Sequence, residues 1–376
     1  MQENPIKPVV KRFPKLAKDV KTDVLVVGGG ITGALCSYFL GKAGYNAITI
    51  EMDEVGSGAS GASSGILYYG TGTNLVPAIK IWGRKKAQYI WKETAQSIKE
   101  LIQLAEKNNL DCGLRKPGAV MAAKTIEESV LLEEEQKELG KIGIKHQILS
   151  GKEISQFYSG LKFKAGLHLD NCAQIYPAHF AAELAEKTNM ELYEYTKLES
   201  FESAKDGIIA KTNNCRISCD KIVFAANDFS LGLGVEKHFV PESSVIISSQ
   251  KINGQQIKKI YPLEKIIWTM EDYYDIIYPH EGRLILEMYR MVDVENKMKY
   301  YYPNGFKKES QWGSSWAKTK DLLPIAGDVK ENVFVAMAMG DQGTTVGYTV
   351  AKQIADMVEG KKNKFLQFTD TKRFGN

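Results

Sequence analysis

Four apolar residues, VLVV at 24–27, run directly into three glycines, and a fourth glycine follows at Gly33. A short apolar run bounded by glycine reads as a buried parallel strand over 23–27. Residues 31–43 (ITGALCSYFLGKA) then read as a helix stopped by Gly44, and 47–51 (AITIE) as a second strand. These three elements make a βαβ unit. Further on, Trp82, Ala87, Ile90, Trp91, Ile98, Leu101, Ile102 and Ala105 recur among charges with helical spacing, which predicts an amphipathic helix over 82–107. Residues 125–140 predict a second, strongly acidic helix whose charge run reads as a solvated face. Residues 178–188 follow Pro177 as a helix, and 191–226 read as short strands ending in KIVFAAN. Over 243–302 apolar and polar positions alternate in the manner of antiparallel strands, with many tyrosines. The apolar VFVAMAM at 333–339 is a last buried strand, leading through GDQGTTVG to a helix over 346–358. No internal repeat is present.

Composition adds mainly exclusions. At 376 residues, 44% of them apolar and 25% charged, the chain can bury the cores of two domains. A net charge of +4 is small for that length and argues against a nucleic-acid footprint or a polybasic membrane anchor. The cysteines at 36, 112, 172, 215 and 219 are odd in number and lack metal-ligand spacing, so they read as free thiols in a reducing compartment. The histidines show no metal-ligand spacing either. The first residues lack the apolar core of a signal peptide, and no run reaches the length of a membrane span. The expectation is a soluble, cytoplasmic protein whose residues 1–19 form an extended tail on the surface or on a partner subunit.

The glycines carry the chemistry. Gly28, Gly30 and Gly33 fit G-x-G-x-x-G between strand and helix. In a dinucleotide site the first permits the turn, the second lets a pyrophosphate approach the backbone, and the third lets helix pack on strand. The helix N-terminus offers free N–H groups to the phosphates. Glu51, 18 residues past Gly33, ends the next strand and can accept hydrogen bonds from a ribose diol. A nicotinamide site usually continues with further strand–helix repeats. Here the next segment is GSGASGASSG at 56–65, whose small residues can supply the additional backbone donors that the longer FAD needs.

With VVGGGITG at 26–33 and Glu51, the ordered set GSGASGASSGIL (56–67), QIYPAHFAAEL (174–184), IVFAAN (222–227), DLLPIAG (321–327) and GDQGTTVG (340–347) resembles the D-amino-acid oxidase, glycine oxidase and sarcosine oxidase superfamily of FAD-dependent oxidoreductases. The resemblance spans roughly residues 20–362. It implies an α/β fold: a Rossmann-like FAD-binding domain with a parallel sheet, and a substrate domain with a mainly antiparallel sheet. The expected FAD domain is discontinuous, 20–81 with 151–228 and 320–362. The substrate domain is 82–150 with 229–319. The resemblance also implies the contacts. FAD would lie extended from Gly28 to the C-terminal glycine segment, along Ile31, Thr32, Met52 and Gly58. Ser57, Ala59, Ser60, Ser64 and Gly65 would meet pyrophosphate and isoalloxazine, the Leu198 backbone the adenine, and Ala225 and Ala226 the pyrophosphate. Gly327 and the run Gly340, Asp341, Gln342, Gly343, Thr344 and Thr345 would complete the flavin end. No cysteine lies near Trp312, where covalent members carry one, so the expected FAD is non-covalent.

The pattern also departs from the family. The motif W-x-x-x-R-x-x-T-x-D-x-x-P-x-x-G is matched at Trp312, Thr319, Asp321, Pro324 and Gly327, but its arginine, which clamps a substrate carboxylate, is replaced by Trp316. An indole cannot pair bidentately with a carboxylate. It can stack on a ring, make a cation–π contact or fill core, while Lys318 or Arg283 can stand in for the cation. Glu287-Met288 replaces a usual Gly-Gly, residues 59–65 lack the usual Arg and Asn, and Asn227, Gln342 and Thr345 are also unusual. Ile285 occupies the place of an oxygen-activating lysine, which points to an acceptor other than oxygen, an electron-acceptor protein or a quinone. Tyr273, Tyr274 and Tyr278 are substrate-site candidates; His179 reads as a surface or capping residue. The expected activity is oxidation of a small amine or amino-acid-like substrate by hydride transfer to flavin N5. Oxidation of a hydroxy acid or polyol, or a catalytically degenerate FAD-carrying protein, are the alternatives.

Overall fold

The computed structural model describes residues 10–229, 232–271, 274–289, 294–303 and 307–375. Its first sheet is built around β1 (Val20–Val27), which pairs in parallel with β2 (Ala47–Ile50) on one side and β11 (Arg216–Asn227) on the other. Beyond β2 lies β8 (Glu191–Tyr193), and beyond β11 lie β18 (Val333–Met337) and the antiparallel β17 (Ile325–Lys330). A hairpin of β9 (Leu198–Ala204) and β10 (Gly207–Thr212) extends the first half of β11. Both faces of β1 are covered, which explains its unbroken apolar run. Val24 and Val26 join the core that contains Leu35 and Leu40 of α1 (Ile31–Lys42) and Val346 and Val350 of α10 (Gly343–Val358). Leu25 and Val27 meet Phe224, Val333 and Val335 on the other face.

The second sheet runs β16-β12-β15-β14-β13-β4-β6-β5. Its strands are β4 (Ala119–Ala123), β5 (Gln147–Ser150), β6 (Ala165–Leu169), β12 (Phe239–Ser249), β13 (Ile266–Thr269), β14 (Asp275–His280), β15 (Arg283–Met288) and β16 (Lys308–Thr319). All pairs are antiparallel except β4 with β13. Alternation divides its residues. Ile277, Leu284 and Leu286 pack with Tyr158, Tyr261 and Tyr301, under α6 (Gly151–Ile154), α8 (Gly254–Ile260) and α9 (Val294–Tyr301). Ile246, Trp268, Tyr278, Ile285 and Trp312 turn instead to the core shared with α1 and α10. The small ribbon β3 (Ile66–Leu67) and β7 (Ala173–Gln174) lies between. The remaining helices are α2 (Ala59–Ala62), α3 (Leu75–Trp82), α4 (Arg84–Lys107), α5 (Ile126–Lys141), α7 (Pro177–Lys187) and α11 (Leu366–Thr369). None among the described residues is long and apolar enough to cross a membrane.

Several sequence expectations shift. Residues 165–169, assigned with the first unit, pair with β4 in the second sheet. The alternating stretch 243–302 contains two helices, α8 and α9. The helix expected from 346 begins at Gly343. Of the expected tail, residues 10–19 lie along this same chain: Leu16 is buried and its N–H donates to Thr196 Oγ1 at 3.2 Å. His179 is buried in α7. The five cysteines are buried and unpaired.

The acidic helix α5 is not simply a solvated face. Glu135, only 2% exposed, accepts the N–H groups of Leu75 (2.7 Å) and Val76 (2.8 Å), the start of α3. Those donors are otherwise orphaned at a helix N-terminus. Burial nevertheless pushes the Glu135 carboxyl up to about 7. Unfolded, it ionises near 4.5. Between these values the folded chain retains a proton that the unfolded chain releases. Glu135 therefore withdraws stability as pH rises from 4.5 to 7, by about 1–3 kcal/mol, with no further loss above. Urea unfolding at pH 5 and 8 is expected to show this slope in the native protein and to lose it in Glu135→Gln.

Candidate active site

The turn after β1 is held by backbone contacts and by two side chains, Glu51 and Ser60. Gly28 N–H donates to Ile50 O at 2.9 Å, and Gly28 adopts φ +115°. A Cβ on Gly28 would lie 2.6 Å from Ala225 O, and one on Gly33 would lie 1.9 Å from Gly28 O. Strand β11, the turn and α1 are thus in direct backbone contact. Glu51, at the end of β2, reaches across: its Oε2 accepts Gly29 N–H at 2.7 Å and its Oε1 accepts Asp53 N–H at 3.0 Å. Burial raises its pKa, and these N–H groups oppose the shift. Gly30 opens α1 with no side-chain cap, while Ile31 N–H donates to Ser60 Oγ at 3.0 Å, drawing the small-residue loop over the helix start. Helix α10 likewise begins without a side-chain cap, at Gln342.

Both helix starts open on one cavity of about 590 Å³. Of the positions expected to hold a cofactor, Gly28, Gly30, Ile31, Thr32, Glu51, Met52, Ser57, Gly58, Ala59, Ser60, Leu198, Ala225, Ala226, Gly340, Asp341, Gly343 and Thr344 line it. Gly33, Ser64, Gly65, Gly327, Gln342 and Thr345 do not. Gly33 serves helix–strand packing. Gly65 has Ile175 O 1.9 Å from where a Cβ would stand, so it serves close packing, while Gly327, at φ +151°, has Asp370 and Thr371 at ordinary contact distance. Lining residues that the sequence reading missed include Asp53, Ser63, Thr196, Phe229, Ser314 and Met339. Ser314 was within reach of a period-two argument, since Trp312, Ser314 and Trp316 share a face of β16.

The residues fit a dinucleotide flavin. Two helix N-termini, each with partial positive charge, face the cavity from opposite ends of the sequence, and a carboxylate stands at the end of β2. Thr345 Oγ1, buried, lacks a hydrogen-bond partner at the flavin end expected from the sequence. No cysteine lines the cavity among the described residues, and no group of three side chains there could hold a metal.

Trp316, Gly340 and Asp341 line this cavity and also a smaller one of about 50 Å³. The smaller cavity brings together Tyr274, Trp316 and Lys318 among the expected substrate residues, with Glu242 and Tyr289. Tyr274 OH donates to Asp341 Oδ2 at 2.5 Å, shares a hydrogen bond with Tyr68 OH and lies 3.3 Å from Tyr289 OH. Trp316 meets Tyr289 edge-on at 5.3 Å. Asp341 Oδ1 has no partner, and burial raises the pKa of this carboxyl. Lys318 pairs with Glu242 at 3.1 Å. Arg283 is buried against Glu309 at 2.6 Å, so it is not a free cation for this cavity. Tyr278 is buried in β14 and lines neither cavity. Tyr273 lies outside the described residues. Asn227, Leu322 and Ala338, all at the cavity walls, hold positive φ of 55°, 61° and 53° without being glycine, a strain that collects at functional sites.

Comparison with known proteins agrees with this geometry. The family model DAO, FAD dependent oxidoreductase, matches residues 23–357. The gamma-glutamylputrescine oxidoreductase of Escherichia coli (strain K12) is 21% identical over 379 residues, covering 95% of this chain and 88% of that protein. Among solved structures, glycine oxidase from Geobacillus kaustophilus superposes with a TM-score of 0.75 at 22% identity, covering 93% of this chain and 98% of that one. L-proline dehydrogenase from P. horikoshii superposes with a TM-score of 0.77 at 18% identity, covering 96% and 98%.

Proposed function

The chain belongs to the DAO family of FAD-dependent oxidoreductases, and on that premise we propose that it oxidises a small amine at the C–H beside nitrogen. The observation that carries this reading is the small cavity that shares Asp341 and Trp316 with the cofactor cavity and presents an unpartnered carboxylate oxygen among aromatic rings. The name of the gamma-glutamylputrescine oxidoreductase supports an amine as substrate.

Bound, non-covalent FAD would supply the oxidising capacity, taking up a hydride from the substrate carbon. Gly28 to Thr32, with Ser57 to Ser60, would hold its pyrophosphate by backbone and hydroxyl donors. Glu51 would accept the ribose hydroxyls. Gly343 and Thr344, at the start of α10, would face its other end. The chain's own part in the reaction is placement and proton handling. Tyr274 fixes the Asp341 carboxyl through Oδ2, which leaves Oδ1 to take the proton of an incoming ammonium. The freed nitrogen lone pair then forms the C=N bond as hydride leaves carbon. The substrate loses two electrons, and the iminium reacts with water outside the site to give a carbonyl compound and ammonia, or a primary amine where the substrate is a secondary amine. Trp316 and Tyr289 close the wall against solvent.

Anaerobic mixing of the purified holoprotein with a panel of primary and secondary amines is expected to bleach the visible flavin absorbance with at least one of them. A panel of hydroxy acids and polyols is expected to leave it oxidised. Bleaching by the second panel alone would replace amine oxidation with alcohol oxidation.

A further inference from the structure

The electrostatics of the small cavity select among amines. Its described lining holds two carboxylates, Asp341 and Glu242, and one cation, Lys318, which pairs with Glu242 and whose charge also reaches Asp341. Two more buried polar side chains border the same cluster. Glu287 is 4% exposed; Ser244 Oγ donates to its Oε1 at 2.8 Å, and Ser64 also bonds to this carboxyl. Its charge bears on Tyr289 and Tyr68, and it feels that of Asp341. Gln342 is 2% exposed and bonds to Tyr68. The walls are the rings of Tyr274, Tyr289 and Trp316, packed at 4.6 Å and 5.3 Å between centroids. Ring faces attract cations, and an ammonium between such walls is stabilised further by an unscreened carboxylate. A substrate carboxylate would meet Asp341 as a like charge in a poorly hydrated space, which is unfavourable. The position where a guanidinium would neutralise it carries Trp316.

We propose that the small cavity binds the ammonium group of an amine that carries no α-carboxylate, with Asp341 Oδ1 as its anion and the rings of Tyr274, Tyr289 and Trp316 as its walls. This rests on the reading of the chain as an amine-oxidising flavoenzyme and narrows its substrate class. Asp341 is a binding residue here, and Trp316 decides specificity by excluding the carboxylate-bearing analogue.

The test uses FAD-loaded protein and two probes with a butyl group, n-butylamine, in which it bears the ammonium directly, and 2-aminohexanoate, in which it is joined to a carbon bearing both ammonium and carboxylate. Binding is read anaerobically from perturbation of the flavin spectrum, and reduction from its bleaching. The native protein is expected to bind n-butylammonium at least 30-fold more tightly than 2-aminohexanoate. Asp341→Asn, which keeps shape and removes charge, is expected to weaken n-butylammonium at least tenfold. Should that variant fail to retain FAD, Trp316→Arg carries the test: the binding ratio is expected to move at least tenfold toward 2-aminohexanoate. Equal binding of the probes by the native protein, or an unchanged ratio in Trp316→Arg, overturns the proposal. Reduction by 2-aminohexanoate in preference to n-butylamine also overturns it, with amine oxidation left standing. Tight, Asp341-dependent n-butylammonium binding without reduction by any amine supports the recognition and ends the oxidation reading.

Discussion

Gly33→Ala is expected to purify without FAD and to melt well below the native protein. The added methyl would stand 1.9 Å from Gly28 O and 3.0 Å from Gly28 C, both backbone atoms. No flexible side chain is available to move aside. Relief requires lifting α1 off β1, but α1 is pinned from its other side, since a Cβ on Gly347 of α10 would come within 2.5 Å of Thr32 Oγ1. Overpacking of this kind costs about 1–3 kcal/mol where neighbours can shift and more where they cannot. Because Gly30, Ile31 and Thr32 line the cofactor cavity, whatever movement relieves the clash also moves the N–H groups meant for the pyrophosphate. Flavin absorbance per protein, and thermal unfolding with and without added FAD, measure both effects. A variant with native flavin content would show that this contact does not control the site.

The second large effect is expected at Glu194, far from the reacting end. Glu194 is completely buried. Its Oε2 accepts Phe13 N–H at 3.0 Å, its Oε1 accepts Val55 N–H at 2.8 Å, and Arg12 stands 3.8 Å away. The Glu194 N–H donates in turn to Pro14 O at 3.1 Å. One carboxylate therefore ties the N-terminal segment to the loop that carries Asp53 and Gly56 into the cavity wall. Glu194→Ala leaves the buried Val55 N–H and the half-buried Phe13 N–H without acceptors and Arg12 with Glu54 alone. The expected loss is about 3–5 kcal/mol of stability, read by chemical denaturation. It is accompanied by weaker FAD binding, read by recovery of flavin fluorescence on dilution. Glu194→Gln keeps one acceptor and should fall between. Unchanged FAD affinity in Glu194→Ala would sever the link between segment and cavity.

What could be read from the sequence was local. The strand–glycine–helix turn and Glu51 declare themselves because their constraints act within one βαβ unit, and the C-terminal strand–glycine–helix is legible for the same reason. The misread features depend on distant partners. Glu135 looked like one charge among many in an acidic helix, since the N–H groups it caps belong to Leu75 and Val76, about 60 residues earlier in the chain. Gly65, expected at the cofactor, lies outside the cavity lining and has a neighbouring carbonyl where a Cβ would stand, and a glycine required by such a carbonyl has the same letter as one required by a ligand. The small cavity could be suspected at Trp316, Lys318 and Tyr274, but not as one place. The register of β12, β15 and β16 sets Glu242 opposite Trp316 and carries the chain on to Tyr289, while Asp341 arrives from the separate connection between β18 and α10.

The two uncapped helix starts that face each other across the large cavity belong to the beginning and the far end of the polypeptide, at Gly30 and Gln342. A ribosome making this chain therefore emits half of a binding site more than 300 residues ahead of the other half. A fragment that stops before β18 is therefore expected to keep the walls supplied by the 57–60 loop, Leu198 and Ala225 but to lack the wall that α10 supplies.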